Sequence, residues 1–184
     1  DTDRIATLAR RAGDASVALE LWADKAWSDL VVPHPLGALR IDRVGFSALP
    51  RAVATRLLAR VVVRAGGGGR PYALTPLERA VEALMTGSDR GFTLLGAQLR
   101  LREREIWICR EAGRLTLGPI LLGPESTIVW DARFEIRNLS QDAAFEVAPA
   151  HTMTRAAAEA VLGTRLVVPI AAIRAAPLIV TQNG

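Results

Sequence analysis

Residues Phe92–Glu111 read FTLLGAQLRLREREIWICRE, and the alternation inside them decides how the chain is read. Folded about Arg102–Glu105, the stretch sets Leu101 opposite Ile106 and Leu99 opposite Ile108. Those four make one apolar face of an antiparallel ribbon. The other face pairs Arg100 with Trp107 and Gln98 with Cys109. Strict alternation on both arms, with a charged tip between, predicts a β-hairpin. A one-residue slip would turn every apolar side chain to the wrong face, so the register is well specified. The tip has no Asn-Gly or Asp-Gly, which leaves the turn type open. The face expected to stay outward carries arginine, glutamine and tryptophan, a polar surface suited to a partner.

The surrounding composition sets bounds. The chain has 184 residues, of which half are apolar, enough for one ordinary domain or two small ones. It has no uncharged apolar run of the roughly 18 residues a membrane span needs, so no membrane partner is expected. It opens Asp1-Thr2-Asp3-Arg4 rather than with a basic and then apolar leader. A start so close to a helix, without methionine, suggests a piece of something longer. The single cysteine, Cys109, excludes an internal disulfide framework and suits a reducing cytoplasm. Net charge is +4, and only Lys25 among the 23 basic residues is a lysine. GC-rich coding accounts for such a bias, and so does a polyanionic partner, because arginine forks fit phosphate oxygens. The catalytic inventory is thin. His34 and His151 are the only histidines, and neither has metal-ligand spacing to another donor. No phosphate-loop or dinucleotide fingerprint occurs. No catalytic or metal-binding residue and no bound cofactor are therefore expected.

Taken in order, residues 3–30 predict a long amphipathic helix. Ile5, Leu8, Ala12, Ala15, Leu19, Trp22 and Ala26 recur at steps of three and four, a narrow apolar seam. Val31-Val32-Pro33-His34-Pro35 ends it. A helix this long needs a partner, either a neighbouring helix or the rest of a longer protein. Residues 36–43 suit a short extended segment. Pro50 then opens a helix whose Ala54, Leu57, Leu58 and Val61 share a face. Arg56, Arg60 and Arg64 follow at steps of four, either a phosphate-facing strip or a solvated face. Gly66–Gly69 is a flexible connector or, less naturally without a following Lys-Ser or Lys-Thr, a phosphate cradle. Thr75-Pro76-Leu77-Glu78 predicts a capping box, with Thr75 as the cap, starting a helix that stops at Gly87.

From there helical periodicity gives way to alternation. Beyond the hairpin, turn marks at Gly118-Pro119 and Gly123-Pro124 precede strands near 126–131, 133–138 and 145–148. A helix follows over 152–162, closed by Gly163, then short strands at 165–170 and 178–181, with Ala171–Ala176 ambiguous. The expected class is α+β: a helical domain over 1–88 and a small, mainly antiparallel β-rich domain with one late helix over 89–184. Arg100, Arg102, Arg104 and Arg110 are the hairpin's candidate phosphate contacts, with Arg100 set to stack on Trp107. A regular strand aims Arg110 to the Ile106 and Ile108 side, so it joins Arg100 only if the strand ends or bulges first. Cys109 has no histidine near it in sequence and is expected to be structural. Asp131 and Arg133 are expected to form an internal pair.

Several local patterns occur in one order. Arg56-Leu57-Leu58 follows a Leu-Pro pair, then come a capped helix, Thr93-Leu94-Leu95-Gly96, the basic hairpin and Ile108-Cys109-Arg110-Glu111. Trp130-Asp131-Ala132-Arg133-Phe134 and Leu166-Val167-Val168-Pro169 come later. The succession, over about residues 1–170, resembles the region downstream of the catalytic domain in bacterial tRNA(Ile)-lysidine synthetases. That family uses ATP, with Mg, to join lysine to the wobble cytidine of tRNA(Ile), which changes what the anticodon reads. Its Ser-Gly-Gly-x-Asp-Ser loop has no counterpart in these residues. The resemblance therefore implies an accessory part that holds tRNA(Ile) beside its own N-terminal catalytic domain, in the cytoplasm, with ATP and lysine handled elsewhere. A different class of reading makes the chain a protein–protein or dimerisation module, docked through the long helix and Trp22.

Overall fold

In the computed structural model the described residues are 2–68, 73–88 and 90–180. The chain is α+β: one long helix, two short strands and three more helices, then antiparallel strands, with two short helices near the end. The first helix, α1 (Thr2–Leu30), is as long as its periodicity predicts, but its buried side is shifted. Ala23 and Ala26 are buried, with Leu19, Trp27 and Leu30 packed beside them, whereas Ile5, Leu8 and Trp22 stay exposed. Among the described residues only the second half of α1 packs on α3, so the expected seam through Trp22 is not the contact line. The chain then turns back through β1 (Val31–Pro33) and β2 (Leu39–Asp42), an antiparallel pair of which the sequence foretold only the second arm.

Asp42 caps the short α2 (Arg43–Ala48): its Oδ2 accepts from the Gly45 N–H at 2.6 Å. Helix α3 (Arg51–Ala65) follows with Pro50 as its cap and buries Ala54, Leu57, Leu58 and Val61. Helix α4 (Leu74–Thr86) starts two residues earlier than the capping-box reading. Ala73 is its cap, and Thr75 and Pro76 lie inside the first turn, where proline's missing N–H costs no hydrogen bond. Its end is as expected: Gly87 takes φ 71° and donates its N–H to Ala83 O.

The hairpin has the register read from the sequence. In β4 (Ala97–Leu101) and β5 (Glu105–Arg110), Leu99 faces Ile108, Leu101 faces Ile106, Arg100 faces Trp107 and Gln98 faces Cys109. A further strand, β3 (Gly91–Leu94), pairs with β4 across a two-residue turn at Leu95 and Gly96. Both turn residues have positive φ, 54° and 80°, the backbone that a tight right-twisted hairpin demands. Because β2 pairs with the far side of β5, the sheet order is β1-β2-β5-β4-β3. One face of this sheet packs on α1 to α4, and Leu99, Ile106 and Ile108 share a core with Leu57, Leu58 and Leu84. The switch of periodicity near residue 88 therefore marks a change of element type within one core, not a gap in packing, and the 1–88 and 89–184 units meet inside it.

The other face of the hairpin is not outward. Trp107 and Cys109 are buried against Leu166, Val168, Ala172 and Ile173. The late helices α5 (Arg155–Leu162) and α6 (Ile170–Arg174) supply this cover. Thr154 caps α5 and Gly163 closes it at φ 64°. The strand expected over 165–170 is absent: Arg155 donates both ends of its guanidinium to the Leu166 and Val168 carbonyls, which serves the backbone without a sheet partner. A last layer joins β6 (Ile120–Leu122), β9 (Phe145–Pro149) and β10 (Pro177–Val180) with the hairpin β7 (Thr127–Trp130) and β8 (Phe134–Arg137). Leu122, Trp130, Ile136 and Val147 fill the space between them. Gly69 of the glycine run and Thr181 of the last expected strand lie outside the described residues.

Candidate nucleic-acid interface

The predicted arginines fall into three groups. Arg100 and Arg104 are exposed on the hairpin with no carboxylate paired to them among the described residues. Arg102 is exposed as well, but its Nη1 donates to Val167 O at 3.1 Å. It is Arg102, not Arg100, that lies over the Trp107 ring, 5.8 Å from its centroid. Arg100 shares a row with Trp107, but the turn brings Arg102 back over the indole. Trp107 donates its Nε1 to Glu105 Oε2 at 2.8 Å, and Glu105 Oε1 accepts from Arg40 at 2.8 Å. The Glu105 charge is therefore matched by Arg40 and does not cancel the tip arginines.

On α3 the strip is divided. Arg56 Nε lies 2.8 Å from Glu20 Oε1, and Arg60 bridges Glu20 and Asp24. Glu20 and Asp24 come from α1, so this row staples the two helices together. The hydrogen bonds to both carboxylates raise the Arg60 pKa against the opposing effect of burial, the largest single influence. Arg64, one turn further, remains exposed.

Arg110 does neither job. Its side chain is 12% exposed, turned inward at the end of β5 as the regular strand requires. Nε and Nη2 donate to Asp131 at 3.0 and 3.2 Å, Nη1 to Gly66 O and Gly96 O, and Nη2 also to Arg114 O. Asp131 also receives Arg133 Nε at 2.7 Å. One carboxylate thus sits between two buried guanidiniums, and the internal pair expected at Asp131 and Arg133 is present. Arg133 donates onward to Ala175 O and lies over Phe134 at 5.0 Å and Trp130 at 5.9 Å. Burial, first, and then Arg110 lower its pKa, while Asp131 opposes them. Asp131 and Ala132 both take left-handed backbone, φ 50° and 53°, which turns the carboxylate inward.

The glycine run is explained by the same joint. A Cβ on Gly66 would lie 2.6 Å from Leu95 O and 2.8 Å from Val62 O. Gly67, at φ 81°, sits against the Asp131 carboxylate. The Gly66 and Gly68 N–H groups donate to Val62 O and Val63 O, so they are not aimed at a phosphate. With Leu95, Gly96 and Arg114 these residues border a cleft of about 400 Å³. Cys109 is enclosed, and burial pushes its thiol pKa up to about 12. His34 accepts from the Leu36 N–H through Nδ1, and burial, then Arg40, lowers its pKa. Among the described residues no group of three His, Cys, Asp or Glu could hold a metal.

Comparison with known proteins finds similarity over part of the chain. The chain is 36% identical over 105 residues to a tRNA(Ile)-lysidine synthase of Caulobacter vibrioides, covering 55% of this chain and 26% of that protein. It is 36% identical over 123 residues to the tRNA(Ile)-lysidine synthase of Methylobacterium nodulans, covering 63% of this chain and 34% of that one. Over these residues the chain is similar to tRNA(Ile)-lysidine synthases. It spans about a third or less of the lysidine synthases it matches, and the alignments are shorter than the resemblance expected over 1–170. No family model and no solved structure matches. Nothing in the sequence marked two arginines beside the hairpin tip, Arg43 and Arg90. Neither stands in a patterned run, and only the pairing of β2 and β3 with the hairpin brings them there.

Proposed function

We propose that this chain is the C-terminal, tRNA-holding region of a tRNA(Ile)-lysidine synthase. In this reading it grips tRNA(Ile) while ATP-dependent attachment of lysine to the wobble cytidine takes place on the enzyme's N-terminal catalytic domain, in the cytoplasm. The observation that carries the reading is the similarity to lysidine synthases. The arginines at the hairpin tip, which carry no ion pair among the described residues, support its tRNA half. Arg100, Arg102 and Arg104 are the proposed contacts, with Arg64 an outlying one. Arg56 and Arg60 instead tie α3 to α1, and Arg110 holds the joint with Asp131. Phosphate-backbone recognition suits such a surface, because arginine charge tracks a backbone without reading bases. Arg100→Glu with Arg102→Glu is expected to weaken tRNA(Ile) binding by the full-length enzyme, measured by filter binding at low and moderate salt. Unchanged affinity at both salts removes the hairpin from the interface. The exposed Ile5, Leu8 and Trp22 favour a second reading, in which α1 docks a protein partner or a second copy of the chain. Sedimentation of the chain, set beside a gel shift with tRNA, separates the two.

A further inference from the structure

Helix α1 outruns the element it packs on. Residues 2–15 are all exposed, and among the described residues the first tie to α3 comes at Ser16, whose Oγ accepts from Arg56 Nη2 at 3.4 Å. Yet the apolar side continues. Ile5, Leu8 and Ala12 recur at steps of three and four on the side that carries Leu19, Ala23 and Ala26 further on, where α3 covers it. Ile5 is 68% exposed and Leu8 69%. Helical stability in proteins comes mostly from packing an apolar face. The front of α1 is therefore its weak part, and Gly13 weakens it further.

Charge says what fits this strip. In the back half of α1 the border of the packed side is acidic: Glu20 and Asp24 hold Arg56 and Arg60 of α3. In the front half it is basic. Arg4 and Arg11 stand a heptad apart on one edge of the strip, each one residue before Ile5 or Ala12. Neither has an ion pair among the described residues, whereas Arg10, on the far side of the helix, lies 3.8 Å from Asp14. Side chains that border an apolar seam decide which helix can lie along it, because like charges brought together there repel. A second copy of α1 laid antiparallel sets Arg4 and Arg11 against their own equivalents. One laid parallel sets them beside Ala9 and Ser16, neither of which is an acid. We infer that the front half of α1 docks an amphipathic helix of a partner protein, whose apolar seam covers Ile5 and Leu8 and whose border carries aspartate or glutamate opposite Arg4 and Arg11. The inference rests on the reading of α1 as a docking helix; it names the partner's chemistry and sets aside a second copy.

The test uses the 184-residue chain and two synthetic peptides of about three heptads, each with a leucine seam, one bordered by glutamate and the other by lysine. Binding is read from the fluorescence anisotropy of the labelled peptides at low and moderate salt. The chain is expected to bind the glutamate peptide at least about tenfold more tightly than the lysine peptide, with the difference narrowing in salt. Arg4→Glu with Arg11→Glu is expected to reverse that preference. Ile5→Ser with Leu8→Ser is expected to abolish binding of both peptides with thermal melts unchanged, because both residues are exposed. Sedimentation and a tRNA(Ile) gel shift on the same three proteins separate the other occupants. If neither peptide binds wild type, the docking reading of α1 falls and this inference with it, while the gel shift still reports on tRNA holding. If both peptides bind alike, or the charge reversal leaves the preference in place, the inference alone is overturned. It is overturned too if Ile5→Ser with Leu8→Ser dissolves a wild-type dimer, which makes a second copy the occupant. A fall in tRNA affinity with Arg4→Glu and Arg11→Glu also overturns it, since the strip is then an RNA surface.

Discussion

Replacing Asp131 tests whether the shared carboxylate is what holds the hairpin to the last β layer. Its side chain is 9% exposed and lies between Arg110, at 12%, and Arg133, at 3%. Three donor contacts end on it: Arg110 Nε at 3.0 Å, Arg110 Nη2 at 3.2 Å and Arg133 Nε at 2.7 Å. Each charged hydrogen bond is worth about 1.5–3 kcal/mol, but a simple sum overstates the effect. Arg110 keeps the Gly66, Gly96 and Arg114 carbonyls, and Arg133 keeps Ala175 O. Removing one side of a buried pair costs about 3–5 kcal/mol, and that is the expected loss for Asp131→Ala. For a chain of this size it amounts to a fall in Tm of about 6–20 °C. Asp131→Asn keeps the volume and a side chain that tolerates the left-handed backbone, so it isolates the charge. The assay is urea and thermal unfolding of wild type and both variants. Asn is expected to recover only the small backbone share of the loss. A loss below about 1 kcal/mol in both variants, the size of an exposed pair, refutes the argument.

Four further outcomes are open to measurement. Gly66→Ala is expected to destabilise by about 1–3 kcal/mol, because its Cβ meets two backbone oxygens. Gly13→Ala, in an exposed stretch of α1 with nothing within 4 Å, is expected to stabilise by about 0.5–1 kcal/mol; thermal melts giving the two the same sign contradict this. Cys109 is expected to resist a thiol reagent at pH 8 until the chain is unfolded, and fast labelling of native protein contradicts the enclosed site. Its folded pKa, about 12, lies above the ordinary 9.0, so the unfolded thiol ionises first. Stability it confers is whole below pH 9 and lost as pH rises towards 12, at up to about 1.4 kcal/mol per pH unit, and Cys109→Ala is expected to flatten that slope. Arg56→Ala with Arg60→Ala is expected to cost about 1 kcal/mol of stability and no tRNA affinity. A drop in affinity matching that of the hairpin variants would return that strip to the interface.

The register of the hairpin was legible because period-two alternation leaves one solution once a face is buried. Its second face was misread for a reason present in the same letters. Ile106-Trp107-Ile108-Cys109 is four apolar residues in a row, the mark of a strand covered on both sides, whereas β4 alternates because Arg100 lies at the open margin. Treating the two arms as equals put Trp107 in solvent. The α1 seam failed differently: a period shows which residues share a side, not how far along the helix a neighbour extends. Nothing in Ile5 or Leu8 distinguishes them from Leu19. The arginines were the hardest, since a guanidinium's partner is fixed by tertiary pairing alone. Arg56 and Arg60 find carboxylates 36 and 40 residues away, and Arg110 finds one 21 residues on.

That sorting carries a functional consequence. Among the predicted arginines, those committed to internal carboxylates build the frame: α3 to α1 through Glu20 and Asp24, and β5 to the last β layer through Asp131. Apart from Arg64 on α3, those left over gather where β2, β3 and the hairpin turn converge, and of these Arg100 and Arg104 carry no ion pair among the described residues. Charge reversal at Arg100 or Arg104 should therefore separate RNA affinity from stability, whereas loss of Arg110 should reduce both together. Measuring the two quantities on the same three variants decides it: parallel losses across all three would mean that the tip arginines, too, belong to the frame.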